Sequence, residues 1–289
     1  MADTPPEWTV ISMLKWATSY FEQKNVRNPR LSIEWLLADV LNLKRLDLYL
    51  SYDRPLTADV LALLRPMVKR RAQHEPLQYI TGETDFLNTK IKVAPGVLIP
   101  RMETEQLVDS VLKNHSPGEE LAVIDLGTGS GCIPVALKKN RPEWKISATD
   151  ISEEALNIAS QNAASNQTEI TFFKDDLFSP DPKMHSSKYD MVISNPPYIL
   201  REEKDSLDKE VTGYEPQLAL FCESTSSIYG AIEQFASQYL SQKGFLYLEL
   251  HENHSKEVAD IFALKKWHVS IENDYDSKPR FLFAQRFSE

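Results

Sequence analysis

At 289 residues the chain has room for one large domain or two of ordinary size, and its 42% hydrophobic and 26% charged residues are the composition of a soluble globular protein. The formal charge of −10 is uneven: residues 1–75 hold 11 Lys and Arg against 9 Asp and Glu, a balance of +2, whereas residues 76–289 hold 21 against 33, a balance of −12. The larger part therefore lacks the basic footprint of a protein that grips phosphate backbones, two cysteines cannot make a disulfide framework or a four-ligand zinc site, and no apolar run approaches the roughly 20 residues of a membrane span.

The start, Met1 to Glu7, has neither the basic segment of a signal peptide nor the Arg-rich character of a transit peptide, and a cytoplasmic location is expected. Val10, Met13, Leu14, Ala17 and Phe21 recur at helical spacing behind Pro5 and Pro6, which predicts a helix from Glu7 to Phe21. A second helix is expected over Arg30–Leu43 after the Asn28-Pro29 break, a short third over Leu46–Leu50, and a fourth from the N-cap Thr57 to Arg71, kinked or interrupted at Pro66. These make a helical bundle of residues 1–75. The run Lys69-Arg70-Arg71 reads as a solvated helix end beside the negative pole of the helix dipole.

After Glu75-Pro76 the texture changes, and residues 76–100 read as a β-hairpin linker. A helix over Thr104–Lys113 follows. From Leu121 strand and helix alternate, which predicts a parallel sheet covered on both faces. Strands are expected at Leu121–Asp125, Lys145–Asp150, Glu169–Lys174, Tyr189–Ser194 and Gly244–Leu250, and helices at Cys132–Asn140, Ser152–Ser165, Ser226–Ser241 and Ser255–Leu264. Trp267–Glu272 and Arg280–Arg286 close the chain as a hairpin that inserts one antiparallel strand into the sheet.

The chemistry gathers at the carboxyl ends of the first four expected strands, where open α/β sheets bind ligands. Asp125 precedes the loop Gly127-Thr128-Gly129-Ser130-Gly131. A dinucleotide fingerprint needs its third glycine at position 132, which is Cys132, so the spacing fits a ligand without pyrophosphate better, with Asp125 orienting a cationic amino-acid portion or a network of waters. Asp150 ends the second strand and can accept from both hydroxyls of a ribose, or cap the helix that opens at Ser152. In Asp175-Asp176-Leu177-Phe178 one carboxylate can accept from an adenine amino group while an apolar neighbour packs on the ring; a solvated turn is the alternative. Ser194-Asn195-Pro196-Pro197-Tyr198 ends the fourth strand. Its prolines lack two N–H donors, so free carbonyls, a carboxamide and a phenol form a stiff polar pocket for a planar amine or amide; a strand stopping at a Pro-Pro turn is the plainer reading. His251 and His254 lack an evident third metal ligand, and no metal site is expected.

Gly127-Thr128-Gly129-Ser130-Gly131, Asp150, Asp176 and Asn195-Pro196-Pro197-Tyr198 resemble the class I S-adenosylmethionine-dependent methyltransferases that methylate amino groups. Pro76 to Gly82, Val97-Leu98-Ile99-Pro100-Arg101, Glu103-Thr104-Glu105, Tyr214-Glu215-Pro216 and Ala219-Leu220 narrow the resemblance to the peptide chain release factor glutamine N5-methyltransferases, the HemK/PrmC family, across almost the whole chain. The resemblance implies an α/β, Rossmann-like, mostly parallel sheet with a C-terminal antiparallel hairpin, behind an N-terminal bundle (1–75) that recognises the protein substrate, a linker (76–100) and a methyltransferase domain (101–289). It implies methyl transfer from S-adenosyl-L-methionine, with S-adenosyl-L-homocysteine as product, to the glutamine side chain in the Gly-Gly-Gln motif of class 1 release factors, with no direct nucleic-acid or membrane partner. The donor would meet Asp125, Gly127, Thr128, Gly129, Ser130, Gly131, Asp150, Asp176, Leu177 and Asn195. The substrate would meet Asn195, Pro196, Pro197 and Tyr198. Asn195, Pro196 and Tyr198 would be catalytic, with the Asn195 side-chain oxygen and the Pro196 carbonyl pinning the amide nitrogen and Tyr198 stacking on it. Arg101 and Glu105 would help shape the site, or equally form a salt bridge at a helix start. The sequence departs from the family at Asn88, Met102, residues 221–227 and Lys278-Pro279-Arg280, none in the donor loop. An adenine N6-methyltransferase shares the pocket chemistry but needs a basic surface; a nicotinamide oxidoreductase needs the missing third glycine; a non-catalytic nucleotide-binding scaffold needs neither.

Overall fold

The computed structural model describes residue 5 and residues 7–286; Pro6, expected just ahead of the first helix, lies outside them. The first helix, α1 (Val10–Gln23), begins where the Thr9 hydroxyl accepts the Ser12 N–H at 3.3 Å and Ser12 returns the bond at 2.8 Å, a reciprocal cap. Its apolar stripe meets Ile33, Leu36 and Leu37 of α2 (Pro29–Leu41), then Leu48 on a single 3-10 turn, Arg45–Leu50. Thr57 caps α3 (Ala58–Arg71), which runs through Pro66 without interruption. A short α4 (Leu77–Thr81) ends on Gly82 at φ +82°, the left-handed stop that glycine takes without strain.

These elements and residues 208–214 form one unit, and residues 83–207 with 215–289 form the other. Arg71 is the reason for the distant addition. It is buried, not solvated, and its guanidinium donates to Ser32 Oγ at 3.0 Å, the Glu75 carbonyl at 2.8 Å and the Glu210 carboxylate at 2.8 Å. A buried guanidinium must find acceptors for its fork of donors, and Glu210 on α8 (Lys209–Tyr214) supplies the charged one. Arg70 pairs with Glu75 instead and is half-buried, and of the three basic residues only Lys69 is exposed.

In the second unit the hairpin is confined to β1 (Glu83–Phe86) and β2 (Thr89–Lys92), because residues 77–81 are helical. An extended piece leads to α5 (Met102–Asn114). The strands β3 (Ala122–Leu126), β4 (Lys145–Asp150), β5 (Thr171–Lys174) and β6 (Tyr189–Ser194) are parallel, and β3 and β6 are buried along almost their whole length, as strands covered on both faces must be. Between them run α6 (Cys132–Asn140) and α7 (Glu153–Ser165). A stretch without forecast elements follows: β7 (Ile199–Leu200), a 3-10 turn over Arg201–Ser206, α8, α9 (Gln217–Leu220) and β8 (Phe221–Cys222), with β7 and β8 paired in parallel. Part of the atypical segment 221–227 is thus a strand, and Ser224 caps α10 (Thr225–Tyr239).

The chain ends with β9 (Leu240–Glu249), a 3-10 turn (Glu252–His254), α11 (Ser255–Ala263), β10 (Trp267–Asn273) and β11 (Pro279–Arg286). The seven-stranded order is β10-β11-β9-β6-β3-β4-β5, with the last strand inserted antiparallel beside β9, as the terminal hairpin predicted. The core lies between β3, β6, β9 and β11 and the helices α10 and α11. Among the described residues no helix is long and apolar enough to cross a membrane.

Candidate active site

Because β3, β4, β5 and β6 run parallel, the turns that follow them share one edge of the sheet, and a cavity of about 320 Å³ opens there. Gly127, Thr128, Gly129, Ser130, Asp150, Asp176, Leu177, Asn195, Pro196 and Pro197 line it. Asp125, Gly131, Tyr198, Arg101 and Glu105 do not. Among the described residues no Lys, Arg or His lines it, whereas Asp150, Glu154, Asp175 and Asp176 do. Such a wall disfavours a phosphate and suits a ligand with cationic centres.

The glycine loop folds by three positive φ values, +71° at Gly127, +54° at Gly129 and +77° at Gly131. A Cβ at Gly127 or Gly129 would meet open space, whereas at Gly131 it would stand 2.8 Å from Ala159 Cβ, so Gly131 serves close packing against α7. The buried Asn162 of α7 fixes the same arrangement: its amide donates to the Ser130 and Lys92 carbonyls, each at 2.9 Å, and accepts the Lys92 N–H at 2.7 Å. It thereby fastens the hairpin to the loop. Nothing in the sequence marked it, since one Asn on a helix face has no spacing to betray it.

Asp150 accepts the Gly129 N–H on one oxygen at 2.8 Å and the Ser152 N–H on the other at 2.9 Å. The cap of α7 is Ser152 itself, and the Asp150 carboxylate lines the cavity with acceptor capacity left for a ligand. Burial raises its carboxyl above the usual aspartate value. Asp175 and Asp176 divide their tasks. Asp175 turns inward, to His185 Nε2 at 2.7 Å and the Asp181 N–H at 3.0 Å, while Asp176 accepts only the neighbouring Phe178 N–H at 2.9 Å.

Asp125 lies beneath the loop, wholly buried, beside the Thr128 hydroxyl, and neither its carboxylate oxygens nor that hydroxyl makes a well-formed hydrogen bond within the protein. Burial pushes its carboxyl up to about 7 against the pull of the Thr128 hydroxyl, and the charge of Asp150 adds to the rise. An unpartnered buried carboxylate is costly, and a cationic or donating ligand above the loop would offset that cost.

The decisive arrangement surrounds Asn195. Ser194 Oγ donates to the Leu126 carbonyl at 2.7 Å, tying the end of β6 to that of β3. Asn195 Nδ2 donates to Thr104 Oγ1 at 3.0 Å, Thr104 Oγ1 donates to Glu249 Oε2 at 2.7 Å, and Tyr198 OH donates to Glu249 Oε1 at 3.1 Å. A hydroxyl has one proton. With Glu249 ionised, Thr104 spends it on that carboxylate, so it can only accept from Asn195, and this turns the Asn195 carbonyl oxygen away from it, free for an outside donor. Glu249 is wholly buried at the end of β9, and burial raises its carboxyl to about 7, against the pull of the Thr104 and Tyr198 hydroxyls. Neither Glu249 nor Thr104 was a candidate from the sequence; a lone acidic residue at the end of an apolar strand was the available signal. Tyr198 is placed differently from the expected stacking wall: it does not line the cavity, and its hydroxyl orients Glu249.

Arg101 pairs with Glu215 at 2.5 Å, not with a carboxylate of its own helix, and Glu215 also accepts the Ile99 N–H at 3.1 Å. This brace holds the extended piece before α5 against Pro216, Leu218 and Ala219, which line the cavity with Gly96, Val97, Leu98 and Pro100. Glu105 is half-buried on α5, away from the cavity.

Comparison with known proteins finds the same two parts. Residues 12–82 match the PrmC N-terminal domain family and residues 102–211 the methyltransferase small domain family. A release factor glutamine methyltransferase of Geobacter sulfurreducens is 39% identical over 264 residues, 91% of each chain. One from Leptospira interrogans is 37% identical over 283 residues, 96% of this chain and 98% of that one. Among solved structures, the N-terminal domain of human METTL16 in complex with SAH superposes with a TM-score of 0.52 at 16% identity, over 75% of this chain and 83% of that one, a likeness of fold.

Proposed function

The chain belongs to the release factor glutamine methyltransferases, S-adenosylmethionine-dependent enzymes, and from that premise we propose how its own residues carry out the transfer and on what. The substrate we assign is the glutamine of the Gly-Gly-Gln motif in class 1 peptide chain release factors, with the helical unit recognising the factor as a folded protein.

The cavity fits the donor: carboxylates with no cation among the described lining residues suit a nucleoside joined to a charged amino acid, and the open space above Gly127 and Gly129 admits it close to the backbone. Asp150 would take the ribose hydroxyls, Asp176 and Leu177 the adenine, and the orphaned Asp125 and Thr128 the amino-acid end, directly or through water. When bound, S-adenosylmethionine supplies an electrophilic methyl group on a sulfonium.

An amide nitrogen is a weak nucleophile because its lone pair is delocalised into the carbonyl. Asn195 Oδ1, turned outward by the Thr104–Glu249 chain, accepts one N–H of the substrate amide, and the Pro196 carbonyl accepts the other. Pinning a nucleophile in its attacking geometry contributes several kcal/mol, and acceptors aimed at a nitrogen that becomes more positive add an electrostatic contribution. The nitrogen's extra proton departs after transfer, so no dedicated base is required. Thr104, Tyr198 and Glu249 act as positioning residues. The observation that carries this reading is the one-proton argument at Thr104, which leaves Asn195 presenting an acceptor.

The test is transfer of labelled methyl with purified release factor, DNA and RNA offered side by side. Label in the release factor supports the assignment; label confined to nucleic acid would overturn it.

A further inference from the structure

Beside the Asn195 turn two short turns meet. Arg201–Ser206, immediately after β7, carries Glu203, while Glu252–His254, which follows β9 after Leu250 and His251, presents His254. One ligand atom from each of Glu203, His251 and His254 lies within 4.8 Å of the other two, and all three side chains are half-buried. The third ligand that the two histidines lacked in sequence comes from a segment with no forecast element.

Each group has a coordinating position to offer. His254 directs Nδ1 at the Glu257 carboxylate, 3.7 Å away, which leaves Nε2. Glu203 keeps one oxygen on the Leu200 N–H at 2.9 Å and has the other free. His251 Nδ1 accepts the Asn253 N–H at 3.2 Å, again leaving Nε2; ligation there moves the ring proton to Nδ1 and gives up that one bond. Zinc-type bonds of about 2.0–2.2 Å place tetrahedral donors roughly 3.4 Å apart, so the three groups, within 4.8 Å of one another, must draw in by up to about 1.4 Å, a shift that side-chain rotation on surface turns supplies.

We propose that Glu203, His251 and His254 bind one divalent metal ion of the borderline class, zinc being the best match, with a water in the remaining position. Two imidazoles and a carboxylate select zinc, cobalt, nickel or copper over magnesium and calcium, which take oxygen ligands. The ion would join the turn after β7 to the turn after β9. It would also touch the catalytic network, since the His251 ring lies 6.0 Å from that of Tyr198.

The experiment uses the untagged full-length chain, stripped with a chelator and titrated with Co²⁺ while its visible absorption is followed. One ion per chain is expected, with the spectrum of a four- or five-coordinate nitrogen and oxygen site, displaced by Zn²⁺. Cys132 and Cys222 are both buried, so no thiolate-to-cobalt band is expected. His254→Ala and Glu203→Gln should each weaken binding at least tenfold, and Zn²⁺ should raise the melting temperature of the native chain but not of His254→Ala. Absence of saturable binding, a thiolate spectrum, or equal affinity in both variants would overturn the proposal.

Discussion

Asn195 can present either an oxygen or an NH₂ group to a ligand, and one proton on Thr104 decides which. An ionised Glu249 accepts from both Thr104 and Tyr198. Glu249→Gln keeps the shape but offers one acceptor and one donor, so Thr104 can turn its proton onto Asn195 and reverse the amide. Turnover should fall about ten- to a hundredfold while donor affinity, read by calorimetry, changes little. A pH limb follows from the same carboxyl: kcat of the native enzyme should rise through about 7, the value to which burial lifts Glu249, and the limb should vanish in Glu249→Gln. Stability runs the opposite way. Glu249 titrates about 7 in the folded chain against an ordinary 4.5, so its contribution to folding is complete below the lower value and is lost as pH rises through the upper one. Thermal melts should therefore show native protein losing ground to Glu249→Gln between about pH 5 and about pH 8. The Asn-Pro-Pro-Tyr turn was legible because two prolines and a carboxamide are rare together; Glu249 and Thr104 were not, because their significance arises only when β9 and α5 converge on it.

The loop between β3 and α6 shows how an element divides its labour. Gly129→Ala puts its Cβ into open space at φ +54°, so the fold bears only left-handed strain, about 1–2 kcal/mol, and the main loss should be in donor affinity. Gly131→Ala drives its Cβ to 2.8 Å from Ala159 Cβ and 3.0 Å from its Cα, so stability in denaturant should fall by roughly 2–4 kcal/mol. Equal losses in both would refute this division. The strands and long helices were readable from apolar runs and caps, with Lys145–Asp150, Tyr189–Ser194 and Cys132–Asn140 recovered to the residue. The segment from 199 to 222 was opaque because its elements are short and set by distant partners, as Ile199–Leu200 is by Phe221–Cys222. Arg71 is the same lesson in the helical unit: a basic run resembles a solvated helix end until Glu210 arrives from far along the chain. Glu210→Ala should leave the Arg71 guanidinium without its carboxylate, and the measurement is faster proteolytic cleavage within residues 208–214.

For the molecule as a whole, alternation of strand and helix announced a parallel sheet, and the closing pair of strands announced an antiparallel insertion; both are present in the seven-stranded order. The break between units falls after Gly82, because Leu77–Thr81 is helical where a hairpin was expected. Charge is decisive at this scale. Residues 76–289 carry a balance of −12, and among the described residues the cavity has acidic side chains and no basic ones, which suits a cationic methyl donor and a protein substrate rather than a nucleic acid. The measurement that meets the central claim most directly is mass spectrometric sequencing of a class 1 release factor after incubation with S-adenosylmethionine and either the native enzyme or Asn195→Ala. The expected result is one methyl on the side-chain nitrogen of the Gly-Gly-Gln glutamine with the native enzyme, and almost none with Asn195→Ala although that variant still binds the donor. A methyl on another residue, or one placed equally well by Asn195→Ala, would contradict the account.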